Sequence, residues 1–322
     1  MTIWRRLLLS SGAALGTAAV FNAYARRGVP PLANLIGGDE HTFLWRGHRV
    51  AYTVRGDGPP VVLVHSIHAA GWSFEWRRNA DALARTHTVY VIDLIGFGRS
   101  DRPALRYTAQ LYQNLLGDFA RRVVGGPVAL VATSLSGAYA IALAAGDPSR
   151  FPAVVAICPT GMTRLEHSPG PGSDASRFFI DAPVLGTAAF NALVSRTSLT
   201  TFLRRTYYND RLVTPELVDA HYATSHQPGA RHAPAAFVAR ALDLDIRGSL
   251  RRLTQPLLVV WGAQAESVPV EDSRAFRTAK PDCEVVVIDP AGDLPHDERA
   301  GEFNELVTEF LTRTLDAHYM NG

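Results

Sequence analysis

The chain has 322 residues, of which 47% are hydrophobic and 19% are charged, and its formal net charge is +2. This composition is that of a globular protein with a large core, and the lack of a basic block in the sequence excludes nucleic acid as a partner. Two cysteines, Cys158 and Cys283, are too few for a disulfide framework or a cysteine-based metal site.

The N-terminal segment has the pattern of an export signal. Arg5 and Arg6 precede an apolar, small-residue run from Leu7 to Ala25, as in a twin-arginine signal with cleavage after Ala25. One alternative is an uncleaved anchor, because about 20 apolar residues can span a bilayer. The other is a buried helix of the globular domain. Residues 1–27 are therefore predicted to be a signal peptide or a membrane anchor. The domain is expected outside the cytoplasm, exported or membrane-anchored, with the membrane as a partner through this segment.

Residues 28–41 are rich in Gly and Pro and are predicted to be a linker. Beyond them, short apolar runs alternate with helical patterns, which indicates an α/β sheet. His48–Arg55 alternates like a strand with one exposed face. The later runs are almost continuously apolar, as in strands covered on both faces. They are Val61–His65, Thr88–Asp93, Pro127–Ala132, Ala153–Cys158, Pro256–Trp261 and Glu284–Ile288.

Helical patterns lie between these strands, for example over Tyr107–Val124 and Glu302–Leu315. Residues 163–250 contain no comparable strand run, and helical pieces such as Ala188–Arg205 and Pro215–Tyr222 dominate them. This interval predicts a helical lid, inserted after the sixth strand over the carboxyl edge of the sheet. Residues 42–162 and 251–322 would then form the core.

The segment Pro127–Ala138 places Ser134 between an apolar strand and an Ala-rich helix. A serine on such a sharp turn needs small neighbours two residues before and after it, and Ala132 and Ser136 meet that need. The start of the following helix directs backbone N–H groups toward a developing anion. The alternative is a serine-rich loop without chemistry.

Position along the chain favours the catalytic interpretation, since five segments in order resemble the α/β-hydrolase family. They are His65–His68, Asp93–Ser100, the Ser134 turn, Trp261-Gly262 and Ala291–Glu298. The resemblance covers roughly residues 42–318. It implies a mostly parallel eight-stranded sheet with helices on both faces and a helical lid. It also implies Ser134 as nucleophile and an oxyanion hole formed by the backbone N–H groups of Ile67 and Leu135.

The chain departs from the family at the general base, because the family's Gly-His-x-Pro reads Gly292-Asp293-Leu294-Pro295 here. A carboxylate of ordinary pKa is a poor base for a serine and would repel an oxyanion. His296 is a candidate relocated base, or a histidine at a helix start. Asp293 itself, with a pKa raised by burial, is a candidate acid or base. Glu266 is the nearest candidate for the triad acid, or a solvated loop carboxylate.

Other histidines compete for a role in ligand binding. His68 lies in the predicted oxyanion loop, where it either faces the pocket or bonds to loop backbone. His226 and Arg231 lie in a polar lid segment, where they either bind a ligand or are solvated in a turn. The sequence contains no dinucleotide fingerprint and no paired-histidine zinc spacing, so neither a cofactor nor a metal is expected.

Three functions remain open at this stage. The first is a serine hydrolase of a small apolar ester, thioester or lactone with a relocated base. The second is a non-catalytic binding or scaffold protein that retains the pocket, and the third is lyase-type chemistry at Asp293. All three imply a small-molecule substrate or ligand, and the fold does not decide between them.

Overall fold

The computed structural model describes residues 15–163 and 182–320. Its centre is a sheet of eight strands in the order β1-β2-β4-β3-β5-β6-β7-β8. β1 pairs antiparallel with β2 and β2 antiparallel with β4, whereas all the other pairs are parallel. This confirms the predicted mostly parallel eight-stranded sheet. The strands are β1 Asp39–Trp45, β2 His48–Arg55, β3 Pro60–Val64, β4 Thr88–Ile92, β5 Ala129–Thr133, β6 Val154–Ile157, β7 Leu257–Gly262 and β8 Glu284–Ile288.

Helices connect the parallel strands and pack on the sheet. Short 3-10 turns cover Ser73–Trp76, Asp210–Leu212 and Val270–Asp272, and a π-helical turn, Ala120–Val124, extends the third helix. The helices are α1 (residues 15–25), α2 Ala80–Leu83, α3 Ala109–Phe119, α4 Ser134–Gly146, α5 Leu185–Leu193, α6 Arg196–Thr206, α7 Pro215–Ser225, α8 His232–Val238, α9 Arg247–Arg252, α10 Ser273–Ala279, α11 Pro295–Glu298 and α12 Ala300–Met320.

The central strands explain the continuous apolar runs of the sequence. Every residue of β5, β6 and β7 is buried, because helices cover both faces of a parallel sheet. The parallel strands carry their carboxyl ends to one edge, and the loops that follow β3, β5 and β8 meet there. Helices α5 to α8 lie between β6 and β7 in the chain, within the predicted lid. Part of the predicted lid, residues 164–181, lies outside the described residues.

The N-terminal boundaries differ from the sequence interpretation. β1 begins at Asp39, inside the predicted linker, because Asp39 pairs with Val54 in a seven-residue antiparallel ladder. Ile36 is also buried in the core, so this segment is more than a spacer. Residues 1–14 of the predicted signal or anchor lie outside the described residues. Among the described helices, none has the length and apolar character needed to span a bilayer.

The end of the predicted signal segment is helix α1, which contacts the lid helix α5. The side chain of Asn22 donates to Val184 O over 3.0 Å and accepts from Asn191 Nδ2 over 2.9 Å. The hydroxyl of Tyr222 donates to Ala25 O over 2.6 Å, and Ala25 is buried. These contacts place α1 along the lid.

Candidate active site

Ser134 lies at the junction of β5 and α4 with φ of 54°, in the left-handed region that residues with a side chain rarely adopt. Such strain persists only where the surrounding structure imposes it, and it concentrates at functional sites. The neighbours Ala132 and Ser136 are fully buried, and the adjacent Gly137 lies against Ala132 O and Pro159. The predicted elbow is therefore formed, and its serine is partly exposed.

The loop after β3 is held against the elbow by hydrogen bonds. Ser136 Oγ donates to His65 O over 2.7 Å. His65 Nε2 accepts from Leu94 N over 3.1 Å, so its Nδ1–H donates to Ser66 O over 2.7 Å. Both polar groups of Ser66, its N–H and its hydroxyl, donate to the buried carboxylate of Glu75. The loop that carries Ile67 is thus fixed beside Ser134.

The two predicted oxyanion-hole donors, Ile67 and Leu135, lie near Ser134. Leu135 is the second residue of α4, where a backbone N–H has no acceptor within the helix. Ile67 lies in the fixed loop, and no described residue accepts a hydrogen bond from its N–H. Ile67 and Ser134 line the same cavity. This arrangement can stabilise negative charge on a carbonyl oxygen attacked by Ser134.

A cavity of about 290 Å³ opens at Ser134 between the sheet edge and the lid. Its walls are mostly apolar, and the lid contributes Phe202, Leu203, Thr206, His221 and Phe237. The core contributes Ser66, Ile67, His68, Thr133, Ser134, Cys158, Ser267, Val268, Asp293 and Leu294. The structure therefore brings four predicted site residues, His68, Ser134, Ile67 and Asp293, into one space.

Asp293 is buried, and its carboxylate is held by the loop after β7 rather than by the elbow. Ser267 donates its hydroxyl to Oδ2 over 2.6 Å and its N–H to Oδ1 over 3.0 Å. Burial raises the pKa of Asp293, and the hydrogen bonds from Ser267 and Val268 oppose that rise. No described residue forms a hydrogen bond with the Ser134 hydroxyl. Asp293 thus occupies the usual base position without acting as a partner of the serine.

His296 and Glu266 lie away from this cavity. His296 is fully buried behind the oxyanion loop, with Nε2 3.3 Å from Glu75 Oε1 and its ring 4.9 Å from that of Trp76. Burial opposes ionisation of Glu75, but interactions with His296 and Ser66 prevail and lower its pKa to about 2. Glu266 is exposed and acts on Asp293 only through its charge. The structure does not bring either predicted residue to Ser134.

The imidazoles that face the cavity are His68 and His221, which lie with ring centroids 6.0 Å apart. His221 Nδ1 lies 2.8 Å from Leu217 O and must donate to it, which leaves a lone pair on Nε2. His68 Nδ1 accepts from Ala70 N over 3.3 Å, so Nε2 carries the hydrogen. Burial lowers the pKa of both, to about 3 for His68, where the charge of His221 adds to the effect. His221 is therefore a neutral acceptor and His68 a neutral donor.

His221 was not singled out in the sequence. It lies on the predicted lid helix four residues after Leu217 and three after Val218, both buried. That spacing places His221 on the apolar face of the helix, which packs toward the core. A histidine on that face was the feature of the sequence that could have identified it.

The two polar lid residues, His226 and Arg231, are not in the Ser134 cavity. They line a small separate cavity between the lid and α1, together with Arg26 and Asn191. The His226 ring stacks on Tyr222 at 3.7 Å, and burial lowers the pKa of His226. Among the described residues, no group of three or more His, Cys, Asp or Glu side chains is arranged to hold a metal ion.

A strained serine elbow on an eight-stranded, mostly parallel sheet defines an α/β-hydrolase fold. The chain belongs to the alpha/beta hydrolase family, whose model matches residues 61–306.

Similar proteins include both uncharacterised and named members. An uncharacterised protein of Mycobacterium tuberculosis is 26% identical over 293 residues, which cover 85% of this chain and 81% of that protein. The 2-hydroxy-6-oxo-6-(2'-aminophenyl)hexa-2,4-dienoic acid hydrolase of Metapseudomonas resinovorans is 24% identical over 84% of this chain and 90% of its own length. The crystal structure of a serine hydrolase involved in carbazole degradation superposes with a TM-score of 0.72 at 22% identity, covering 85% of this chain and 98% of that one.

Proposed function

We propose that the protein is a serine hydrolase of low activity that acts on a small, mainly apolar ester, thioester or lactone. The observation that carries this proposal is Ser134, strained at φ of 54° and open to a mostly apolar cavity. The N–H groups of Ile67 and Leu135 supply the oxyanion hole. The hydrolase of Metapseudomonas resinovorans supports hydrolysis as the reaction class. That relative acts on an acid, whereas Asp293 in this cavity favours a neutral substrate.

The relocated base is His221 in this proposal rather than His296. His221 lines the cavity, is neutral through burial, and has its Nε2 lone pair available. Hydrogen bonds in resting sites often tighten only in the complex, so in this proposal Ser134 and His221 come within hydrogen-bond distance when substrate is bound. His68, as an N–H donor, can stabilise the oxyanion. Asp293 is a weaker candidate for the acid or base, because its carboxylate already accepts hydrogen bonds from Ser267 and Val268.

A second candidate function, a non-catalytic ligand-binding protein, is favoured by the position of Asp293. The carboxylate of Asp293 accepts hydrogen bonds from Ser267, and no described residue forms a hydrogen bond with the Ser134 hydroxyl. A protein that had lost hydrolysis would keep the cavity and the strained turn while leaving the serine unactivated.

Labelling with a fluorophosphonate separates the two functions, because the probe reacts with an activated serine. We expect slow labelling of the wild-type protein and none of Ser134→Ala. His221→Asn should slow labelling by roughly 10²-fold or more, the usual contribution of a general base. His226→Asn, at a buried lid histidine outside the Ser134 cavity, is the matched control and should leave the rate per folded molecule almost unchanged. An unlabelled wild-type protein would refute the proposed hydrolase function, and equal slowing by His221→Asn and His226→Asn would refute His221 as the base.

A further inference from the structure

The lid carries an apolar groove beside the Ser134 cavity. The groove encloses about 360 Å³ between α5, α6 and α8. It shares the lining residues His68, Phe202 and Phe237 with the Ser134 cavity, so the two spaces adjoin and only these side chains lie between them. The lining of the groove is almost entirely apolar.

Large apolar side chains stand exposed around this groove. Leu193 on α5 is 59% exposed, Val238 at the end of α8 is 51% exposed and Phe202 on α6 is 40% exposed. Leu185 lies at the start of α5, and α1 beside it adds the exposed Val20. We call Leu193, Phe202 and Val238, which line the groove, the apolar rim. A contiguous rim of this kind marks an interaction surface rather than scattered exposed residues.

Unpaired cations flank the apolar rim. Arg204 and Arg205 are exposed on α6, and Arg205 lies one turn from Phe202. Arg26 and Arg27 are exposed at the end of α1, and Arg26 lies beside Asn191 of α5. Within residues 15–163 and 182–320, no carboxylate forms an ion pair with any of these four arginines. Exposed apolar side chains with arginines at their border match the interface of an anionic bilayer.

We propose that the apolar rim docks on the surface of an anionic lipid bilayer and that the groove admits an apolar ester to Ser134 directly from the lipid. The docking step does not depend on the proposed hydrolase function. The substrate step rests on the proposed hydrolase function and narrows its substrate to a lipid-soluble ester. Val238, Leu193 and Phe202 enter the acyl boundary, while Arg204 and Arg205 pair with lipid phosphates. The groove then provides a water-poor path between bilayer and cavity.

Co-sedimentation with vesicles tests the docking step, with the full chain carrying Ser134→Ala so that binding is measured without catalysis. The vesicles are phosphatidylcholine alone, or phosphatidylcholine with about one third phosphatidylglycerol. Leu193→Glu/Val238→Glu should lower the partition coefficient at least about 10-fold, since two apolar side chains leave the interface. Arg204→Gln/Arg205→Gln should lower binding to the anionic vesicles by about 10-fold or more and change binding to the neutral vesicles little.

The matched control is Leu44→Glu/Val287→Glu, which places the same charges on exposed apolar positions of β1 and β8. We expect it to bind like the parent protein. Equal loss in the control and in the rim variant would overturn the proposal, because the added charge and not its position would then account for the loss. Unchanged binding of the rim variant would also overturn it, because residues 1–14, present in every variant, would then account for the binding. A dimer in gel filtration that Leu193→Glu/Val238→Glu dissociates, without vesicle binding, would assign the rim to a second copy and also overturn it.

The substrate step is tested with wild-type Ser134. The ratio of hydrolysis of a long-chain ester in anionic vesicles to that of a soluble short-chain ester should fall about 10-fold in Leu193→Glu/Val238→Glu and stay constant in the control pair. An unchanged ratio overturns the substrate step. Absence of all hydrolysis, with vesicle binding intact, refutes the proposed hydrolase function and leaves docking established.

Discussion

In the proposed function, Asp293 limits the activity of Ser134. A general base contributes roughly 10² to 10⁴ in rate, and the family position for that base holds a carboxylate bonded to Ser267. A negative charge in the cavity also opposes the oxyanion that forms on attack. The strain at Ser134 and the ordered oxyanion loop are retained, so the expected loss of rate arises mainly in the transfer of the Ser134 proton. We expect wild-type catalytic efficiency on short-chain esters below about 10⁴ M⁻¹s⁻¹.

Replacing the carboxylate by an imidazole tests this account. Asp293→His should raise hydrolysis of p-nitrophenyl acetate by about 10-fold or more, because it returns a base to its usual position and removes a charge. Asp293→Asn is the isosteric control, which removes the charge and supplies no base. Steady-state kinetics on the three proteins separates the effects. Equal gains in both variants would assign the whole effect to charge, and a loss in Asp293→His would show that the site cannot accommodate the ring.

The residues that could be predicted from the sequence are those fixed by local backbone. The position of Ser134 follows from a strand, a tight turn and a helix start, which the sequence encodes within a few residues, whereas Ile67 and Leu135 were implied by the resemblance to the family. The identity of the base could not be obtained in this way. His296 follows the family motif closely but turns inward to Glu75, whereas His221 reaches the cavity through the packing of the lid. Such packing depends on contacts distant in sequence.

At the scale of elements, the strands were predicted well and the helix boundaries less so. Buried parallel strands are apolar along their whole length, so β3 to β7 were recognisable. The run Glu284–Ile288 is a strand as predicted, but it is not covered on both faces, because β8 lies at the edge of the sheet and Val287 is exposed. The predicted lid helix Ala188–Arg205 is two helices, α5 and α6, because Ser195 is extended and caps α6 by accepting from Ser198 N. The strand β1 was missed because its first residues, Asp39, Glu40 and His41, are polar and exposed. An edge strand with exposed side chains resembles a linker.

The strand order predicts the state of the cysteines. Cys158 follows β6, Cys283 precedes β8, and β7 lies between those strands. Strands two apart are separated by about 9.6 Å, whereas a disulfide needs Cα atoms within about 7 Å. Both thiols are free and buried in the structure. Thiol titration in denaturant should therefore give the same value before and after reduction, and Cys158→Ser should halve it. A thiol that appears only after reduction would contradict the sheet order.

At the scale of the whole molecule, buried ionisable groups join the lid to the core. Asp297, 1% exposed, accepts from Arg77 over 2.6 Å and from the hydroxyl of Tyr207, which lies at the end of α6. Close by, His68 and His221 are held neutral, while Glu75 is held charged. Groups whose pKa differs between folded and unfolded chains make stability depend on pH. The cavity region is thus the acid-sensitive part of the fold.

The stability of the protein should fall as pH drops below about 6.5, the ordinary pKa of histidine. The folded-state pKa of His68 is lowered to about 3, so between these values the unfolded chain binds a proton that the folded chain does not. The lowered pKa of His221 acts in the same direction. Glu75 adds a second loss of stability from about pH 4.5 downward, because its stabilisation is complete above that value and disappears toward its folded pKa of about 2.

Urea unfolding at pH 7.5 and pH 5.0 measures the loss of stability that arises from the histidines. His68→Asn should reduce the difference in unfolding free energy between pH 7.5 and pH 5.0 by about 1–2 kcal/mol. The value should lie toward the lower end of this range, because His68 is partly accessible from the cavity. His41→Asn, at an exposed position on β1, is the matched control and should leave the difference unchanged. If both variants keep the full wild-type difference in unfolding free energy, His68 is not the source of the acid sensitivity. The description of His68 as neutral and buried in the folded protein is then wrong.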